Sequence, residues 1–272
     1  MIKLATMSSV CPDWDLGQVI DGMKRHGYQG LEPRVEWGHA SGIELDLSTS
    51  QRQQVRQRLA DEGLEICCIA TGVRMAASDA AERAVHIEDL RAYIDLAADL
   101  GCGLIRTFGG PRDKGREWPL VVDYVVDGYR QVLDKAGDSG VTLLMETHDD
   151  WCCAAPVRAV VEQVDHPRLQ VLWDFMHTQR MMENPAISFE QLGRHTLHTH
   201  AHDGHYVDGR MQVSGELGGG AIDHAEPLRL LHGAGFAGYF SIEVIHKPGS
   251  DHDANAVLAS YAEGFRRIVE GG

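Results

Sequence analysis

Three carboxylates and a run of histidines stand out because each ends or rides a short apolar segment. Leu144-Met145-Glu146-Thr147-His148 closes one such segment and Leu172-Trp173-Asp174-Phe175-Met176-His177 the next. His198-Thr199-His200-Ala201-His202-Asp203 carries a third, and Ser241-Ile242-Glu243 closes a fourth. Acids gathered in apolar surroundings repel one another and lose hydration, at a cost of several kcal/mol. A divalent cation turns that repulsion into binding. Three oxygen donors and one imidazole with open positions suit Mn²⁺ or Mg²⁺, and Co²⁺ and Zn²⁺ are also compatible. Residues two apart on a strand face one way, so Glu146 and His148 share a direction, as do His198, His200 and His202. One imidazole suffices for the metal. The others can orient ligands from behind or touch substrate hydroxyls. His148, His177 and His202 read as site residues; His195 and His198 read as structural.

Such residues need a scaffold that brings strand ends together. The apolar runs Ile2–Thr6, Gly30–Pro33, Leu64–Ala70, Gly103–Thr107, Val141–Glu146, Leu169–Asp174, Thr196–His202 and Tyr239–Glu243 predict strands. Between and after them, Asp15–His26, Thr49–Glu62, Ala80–Leu100, Pro119–Asp138, Pro156–Val164, Ser188–Arg194, Asp223–Ala234 and Asp253–Val269 predict helices. Several end in a glycine just before the next strand, which is the chemistry of a glycine C-cap. Eight strand–helix units in strict alternation imply parallel strands with right-handed crossovers. The first strand–helix turn, Thr6-Met7-Ser8-Ser9-Val10, has no G-x-G-x-x-G, which argues against an open dinucleotide-binding sheet. The prediction is a (β/α)8 TIM barrel, one domain spanning residues 1–272, with its chemistry at the C-terminal ends of the strands. The longest insert without helical pattern, Asp203–Ile222, follows the seventh strand and is rich in glycine.

Asp and Glu total 40 against 25 Lys and Arg, a formal net charge of −15 in 272 residues. That balance opposes nucleic acid and anionic membrane as partners. The cysteines include two adjacent pairs, Cys67-Cys68 and Cys152-Cys153, and no C-x-x-C. They read as reduced thiols of a cytoplasmic protein. No run of about 18 apolar residues marks a membrane span.

At its strand ends the sequence resembles the xylose-isomerase-like TIM-barrel superfamily of sugar isomerases and epimerases. The resemblance covers essentially the whole chain and is carried by Gly27-Tyr28-Gln29-Gly30-Leu31-Glu32, the Arg83-to-Gly110 run and the four segments above. It implies Glu146, Asp174, His200 and Glu243 as ligands of one divalent metal. It implies Glu146 and Glu243 as the pair that gives and takes an α-proton while the metal stabilises an enediolate. In relatives a Lys stands where this chain has His202. Arg106, Arg210 and Glu32, with His148, His177 and His202, are the candidates for contacting substrate. Dimers or tetramers are common among relatives, so a homo-oligomer is open.

The resemblance leaves a metal-dependent dehydratase of a keto-inositol-type compound as the main alternative, with His148 or His177 as acid. An endonuclease-like zinc enzyme would need histidines near the third and fourth strands, where Cys68-Ile69-Ala70-Thr71 and Arg106-Thr107-Phe108-Gly109 stand instead. A non-catalytic sugar-binding barrel would be expected to lack the paired glutamates. A phosphate would seek Gly218-Gly219-Gly220, Arg210, His246 and Lys247, but Asp203, Asp208, Glu216 and Asp223 crowd the same region. The expected substrate is therefore a neutral polyol-ketone or free sugar.

Overall fold

The computed structural model describes residues 1–246 and 252–270; Lys247 lies outside them. In chain order the elements are β1 (Lys3–Met7), α1 (Leu16–His26), β2 (Gly30–Glu32), α2 (Thr49–Asp61), β3 (Glu65–Ile66), β4 (Ile69–Arg74), α3 (Ala80–Leu100) and β5 (Leu104–Phe108). There follow α4 (Trp118–Arg130), α5 (Leu133–Asp138), β6 (Thr142–Glu146), α6 (Ala154–Val164), β7 (Leu169–Asp174), α7 (Phe175–Arg180), α8 (Pro185–Leu192) and β8 (Thr196–Ala201). The hairpin β9 (Gly204–Val207) and β10 (Arg210–Val213), α9 (Ala225–Gly233), β11 (Tyr239–Ile242) and α10 (Ala254–Glu270) complete the chain.

The parallel sheet runs β3-β2-β1-β11-β8-β7-β6-β5-β4. Its two ends are halves of one barrel strand, interrupted at Cys67-Cys68. Closure is made by Cys67 N donating to Leu31 O (2.9 Å), Ala70 N to Pro33 O (2.9 Å) and Val35 N to Ala70 O (3.1 Å). The fold is a TIM barrel. Its helices begin and end where the sequence supplies caps. Asp15 and Gln18 form a reciprocal capping box on α1, and Gly27 ends it at φ 84°. Asp79 caps α3 and Gly101 ends it at φ 71°.

Inside the barrel, Cys68, Leu144 and Leu172 pack against Leu104. Two residues further along their strands come Arg106, Glu146 and Asp174, one layer nearer the mouth. The apolar layer is thus a dry floor on which the charged layer stands. No helix among the described residues is long and apolar enough to cross a membrane.

Besides the interrupted strand predicted over Leu64–Ala70, the structure departs from the predicted elements in three places. The predicted helix over 119–138 breaks at Gln131-Val132, where Val132 leaves helical geometry (φ −121°). A short helix, α7, follows β7 directly because the Asp174 side chain accepts from His177 N at 3.1 Å. The long insert holds a hairpin turning at Asp208 (φ 51°) and Gly209 (φ 73°), the Asp-Gly turn that suits a two-residue hairpin.

Candidate active site

Glu146 ends β6, Asp174 ends β7, His200 lies on β8 and Glu243 follows β11. One donor atom from each lies within 4.8 Å of all the others, and all four residues are buried. His200 is the hub. Its Nδ1 donates to Glu146 Oε1 at 3.1 Å and lies 3.0 Å from Glu243 Oε2. Its Nε2 donates to Glu32 Oε1 at 3.0 Å. Burial opposes the charge on His200, but Glu32, Glu243 and Glu146 outweigh it and hold the imidazole well above its usual range. Burial likewise resists ionisation of Glu243 and Asp174. His200 beside Glu243, and His177 with His202 beside Asp174, prevail and hold both carboxyls below the carboxylate range.

This donor set fits a divalent cation. Glu146 Oε2 and Glu243 Oε2 are buried without a hydrogen-bond partner. The Glu243–His200 contact is close enough for an ion pair but out of line for a hydrogen bond. Buried carboxylate oxygens left in that state carry a desolvation penalty that a cation removes. Ligand atoms on opposite sides of one ion, at roughly 2.4 Å each, would stand about 4.8 Å apart, so the spacing is right. Two other clusters have metal-ligand spacing. In one, Glu32, Cys67 and His198, the carboxylate is already spent on hydrogen bonds and burial pushes the Cys67 thiol up, so it stays protonated. The other, Asp174, His177 and His202, shares Asp174 with the main site.

A cavity of about 200 Å³ opens over the site, lined by Met7, Ser9, Phe108, His148, Asp149 and Glu243, among others. A larger one, about 930 Å³, is lined by none of the four site residues. Size is a poor guide here; the smaller cavity is the one that reaches Glu243.

Of the residues expected to touch substrate, His148 lines this cavity. Its ring packs on Phe108 (4.6 Å) and His177 (4.4 Å), and its Nδ1 lies 3.0 Å from Asp149 Oδ1. Burial lowers its proton affinity, but the neighbouring carboxylates of Asp149 and Glu146 raise it by more. His177 is buried with neither ring nitrogen hydrogen-bonded. Burial drives its imidazole down to about 3, against the pull of Asp174. Arg106 is wholly buried; its Nε stands 3.3 Å from Glu146 Oε2, and its guanidinium lies 3.9 Å from the Phe108 ring centroid. That ion pair also lacks hydrogen-bond alignment, which leaves all three guanidinium nitrogens unpartnered.

Three of the residues expected to touch substrate do not line this cavity. Glu32 is fully buried, and its two oxygens are taken by His198 Nε2 (2.9 Å), Ser241 Oγ (2.6 Å) and His200 Nε2. Its carboxylate is placed to orient His200, with both oxygens already accepting hydrogen bonds. His202 gives its Nε2–H to Asp174 Oδ2 at 2.7 Å, so it steadies that carboxylate instead of facing substrate. Arg210 is exposed on the β9–β10 hairpin and has no hydrogen bond or ion pair with the site among the described residues.

Sequence reasoning missed Arg34 and Arg74, which line the cavity with Trp37. Both come from the loops and strand ends after β2 and β4, and nothing in their local pattern separates them from surface arginines. It also missed the role of Asp203. Asp203 Oδ2 accepts from Gly218 N (2.8 Å) and Gly220 N (2.9 Å), and Oδ1 from Gly204 N (2.8 Å). The glycine amides that looked fit for a phosphate are therefore filled by an internal anion.

The chain has relatives of known name. Over 179 residues it is 26% identical to a 3-dehydroshikimate dehydratase of Bacillus anthracis, a match covering 64% of this chain and 61% of that protein. The chain thus spans under two thirds of that relative's length. Among solved structures, the IOLI protein with a bound zinc atom superposes with a TM-score of 0.85 at 17% identity, covering 99% of both chains. A D-psicose 3-epimerase superposes with a TM-score of 0.79 at 19% identity, covering 100% of both. At those identities the likeness shows the fold. The family model described as a xylose isomerase-like TIM barrel matches residues 20–268, and the chain belongs to that family.

Proposed function

We propose that this protein is a divalent-metal-dependent isomerase or epimerase that moves a proton at the carbon beside the carbonyl of a small sugar or polyol. The observation that carries this reading is the pair of buried carboxylate oxygens, one each on Glu146 and Glu243, that make no hydrogen bond beside His200 Nδ1. Glu146, Asp174, His200 and Glu243 would hold the metal; Mn²⁺ or Mg²⁺ suits the oxygen-rich set, and Co²⁺ or Zn²⁺ is compatible. Bound there, the ion supplies Lewis-acid stabilisation of negative charge on adjacent substrate oxygens. Glu243, which lines the cavity, takes the α-proton. Glu146, steadied by Arg106, returns one from its own side. Phe108 and Trp37 give the cavity an aromatic wall. The whole chain, residues 1–272, acts as one catalytic domain in this reading, in the cytoplasm, on a small molecule and not on nucleic acid or membrane. The six cysteines, all free, accord with a reducing compartment.

A dehydratase is the second reading. It is favoured by His148, an imidazole in the cavity wall placed to protonate a departing β-hydroxyl, and by the named dehydratase among the relatives.

Proton NMR in D₂O with the Mn²⁺- or Mg²⁺-loaded protein and a panel of ketoses and keto-cyclitols tests both. Deuterium at one carbon with no loss of water supports the isomerase or epimerase; loss of water supports the dehydratase. Glu146→Gln and Glu243→Gln are each expected to abolish exchange, because an amide oxygen can still ligate but takes no proton. Near-normal exchange in either variant would refute the proton-transfer roles.

A further inference from the structure

We infer that the substrate carries a carboxylate, held at the cavity mouth by Arg34 and Arg74. This rests on the reading of the cavity over Glu243 as the substrate site, and it replaces the neutral substrate expected from the sequence.

Arg34 and Arg74 both line that cavity, on the rim opposite the glycine-rich insert. In a chain of net charge −15, a cationic pair at the mouth calls for an explanation. Neither arginine has a carboxylate oxygen within ion-pair distance among the described residues, although surface arginines such as Arg158, Arg194 and Arg229 do. Arg34 is held in place without spending its charge. Its guanidinium lies 4.7 Å from the Trp37 ring centroid and 5.7 Å from that of Phe108, and its Nη1 donates to Thr71 O at 3.3 Å. Its Nε is buried with no partner. Stacking on aromatic rings fixes a guanidinium plane while leaving its edge free, and the edge is what binds a carboxylate through two parallel hydrogen bonds.

Charge and size select the anion. Against the two guanidiniums the cavity lining sets the carboxylates of Asp149 and Glu243; with Glu243 given to the metal in the proposed reading, one positive charge is left for a ligand to neutralise. A carboxylate matches that; a phosphate dianion exceeds it. The cavity, about 200 Å³, equals about seven water volumes at ~30 Å³ each, so the occupant is small. The amides that elsewhere in barrels bind phosphate are taken by Asp203.

The test uses the Mn²⁺-loaded and metal-free full-length protein with two matched pairs, quinate against its methyl ester and glucuronate against glucose. Glucose 6-phosphate is the phosphate arm. Affinity is read by calorimetry or saturation-transfer NMR. At least one acid is expected to bind tenfold or more tightly than its uncharged partner, with and without metal. Arg34→Gln and Arg74→Gln should each cut that ratio by about tenfold while Mn²⁺ affinity and neutral-ligand affinity hold. Equal binding of acid and neutral compound in both pairs would overturn the inference. So would a preference that disappears without metal and ignores both substitutions, since the acid would then be coordinating the ion. Glucose 6-phosphate binding better than glucuronate would overturn the choice of carboxylate. Failure to bind Mn²⁺ with the acid preference intact would sink the metal reading and leave this one standing.

Discussion

Replacing Glu32 by glutamine probes the layer beneath the ligands. Glu32 accepts three hydrogen bonds, from His198 Nε2, His200 Nε2 and Ser241 Oγ, and His200 with His198 overcomes the cost of burial to keep it ionised. Accepting the Nε2–H of His200 leaves Nδ1 as the atom that faces Glu146 and Glu243. Glutamine preserves the volume but turns one acceptor oxygen into a donor. If the amide oxygen stays on His200, the NH₂ meets the Nε2–H of His198, and Ser241 must rotate. One buried donor goes unsatisfied, at about 1–3 kcal/mol. Removing the carboxylate that orients a ligating imidazole typically costs roughly 10- to 100-fold in metal affinity, or about 1.4–2.7 kcal/mol. The assay is Mn²⁺ or Zn²⁺ titration against a fluorescent chelator, paired with thermal unfolding of the metal-free protein. Metal Kd should rise within that range, and Tm should fall by roughly 3–10 °C. A metal Kd within about twofold of wild type, with catalytic loss confined to KM, would place Glu32 against substrate after all.

Three further outcomes are expected. His200 is held above its usual range when metal-free, so its contribution to stability is fully present below the ordinary histidine pKa and is lost as pH rises through the raised one. A metal that displaces its Nδ1 proton must then bind more tightly as pH rises between about 6 and 8; affinity independent of pH would remove Nδ1 as a ligand. His148→Gln should abolish loss of water while sparing α-proton exchange if the dehydratase reading is right, and product NMR reads both; equal loss of the two would make His148 a structural part of the cavity wall. A Cβ on Gly220 would stand 2.0 Å from Asp203 Oδ1 and 2.5 Å from Gly204 O. Gly220→Ala should therefore destabilise by about 2 kcal/mol, a Tm drop of roughly 4–8 °C, and an unchanged Tm would mean the loop yields freely.

Much of the scaffold was legible because its signals are local. Apolar runs alternate with helical patterns eight times, and several αβ turns announce themselves through glycines such as Gly27 and Gly101. The departures had different causes. The helix α7 rests on a local cap, Asp174 accepting from His177 N three residues on, at a point where only a strand end was expected. The third barrel strand is interrupted at Cys67-Cys68, its first half paired with β2 and its second with β5. The Asp208-Gly209 hairpin was a missed local signal, since Asp-Gly was there to be read.

By itself the sequence determined which residues could meet. A barrel brings every strand end to one mouth, so Glu146, Asp174, Glu243 and a histidine of the 198–202 run follow from alternation and the two-residue period of a strand, and the family resemblance singled out His200. What each neighbouring polar residue faces is another matter, because it depends on side chains arriving from strands far apart in the chain. Glu32 lies 166 residues from His198 and 168 from His200, and no pattern near it tells whether its carboxylate meets a sugar or two imidazoles. His202 and Asp174 stand 28 residues apart, and their bond turns a supposed substrate contact into a support for a ligand. Arg34 and Arg74 look like surface charge in the sequence. Only the closed barrel, with Trp37 and Phe108 beneath one guanidinium and the −15 charge elsewhere, makes them a site, since the electrostatics of a cavity belong to whatever the fold gathers around it.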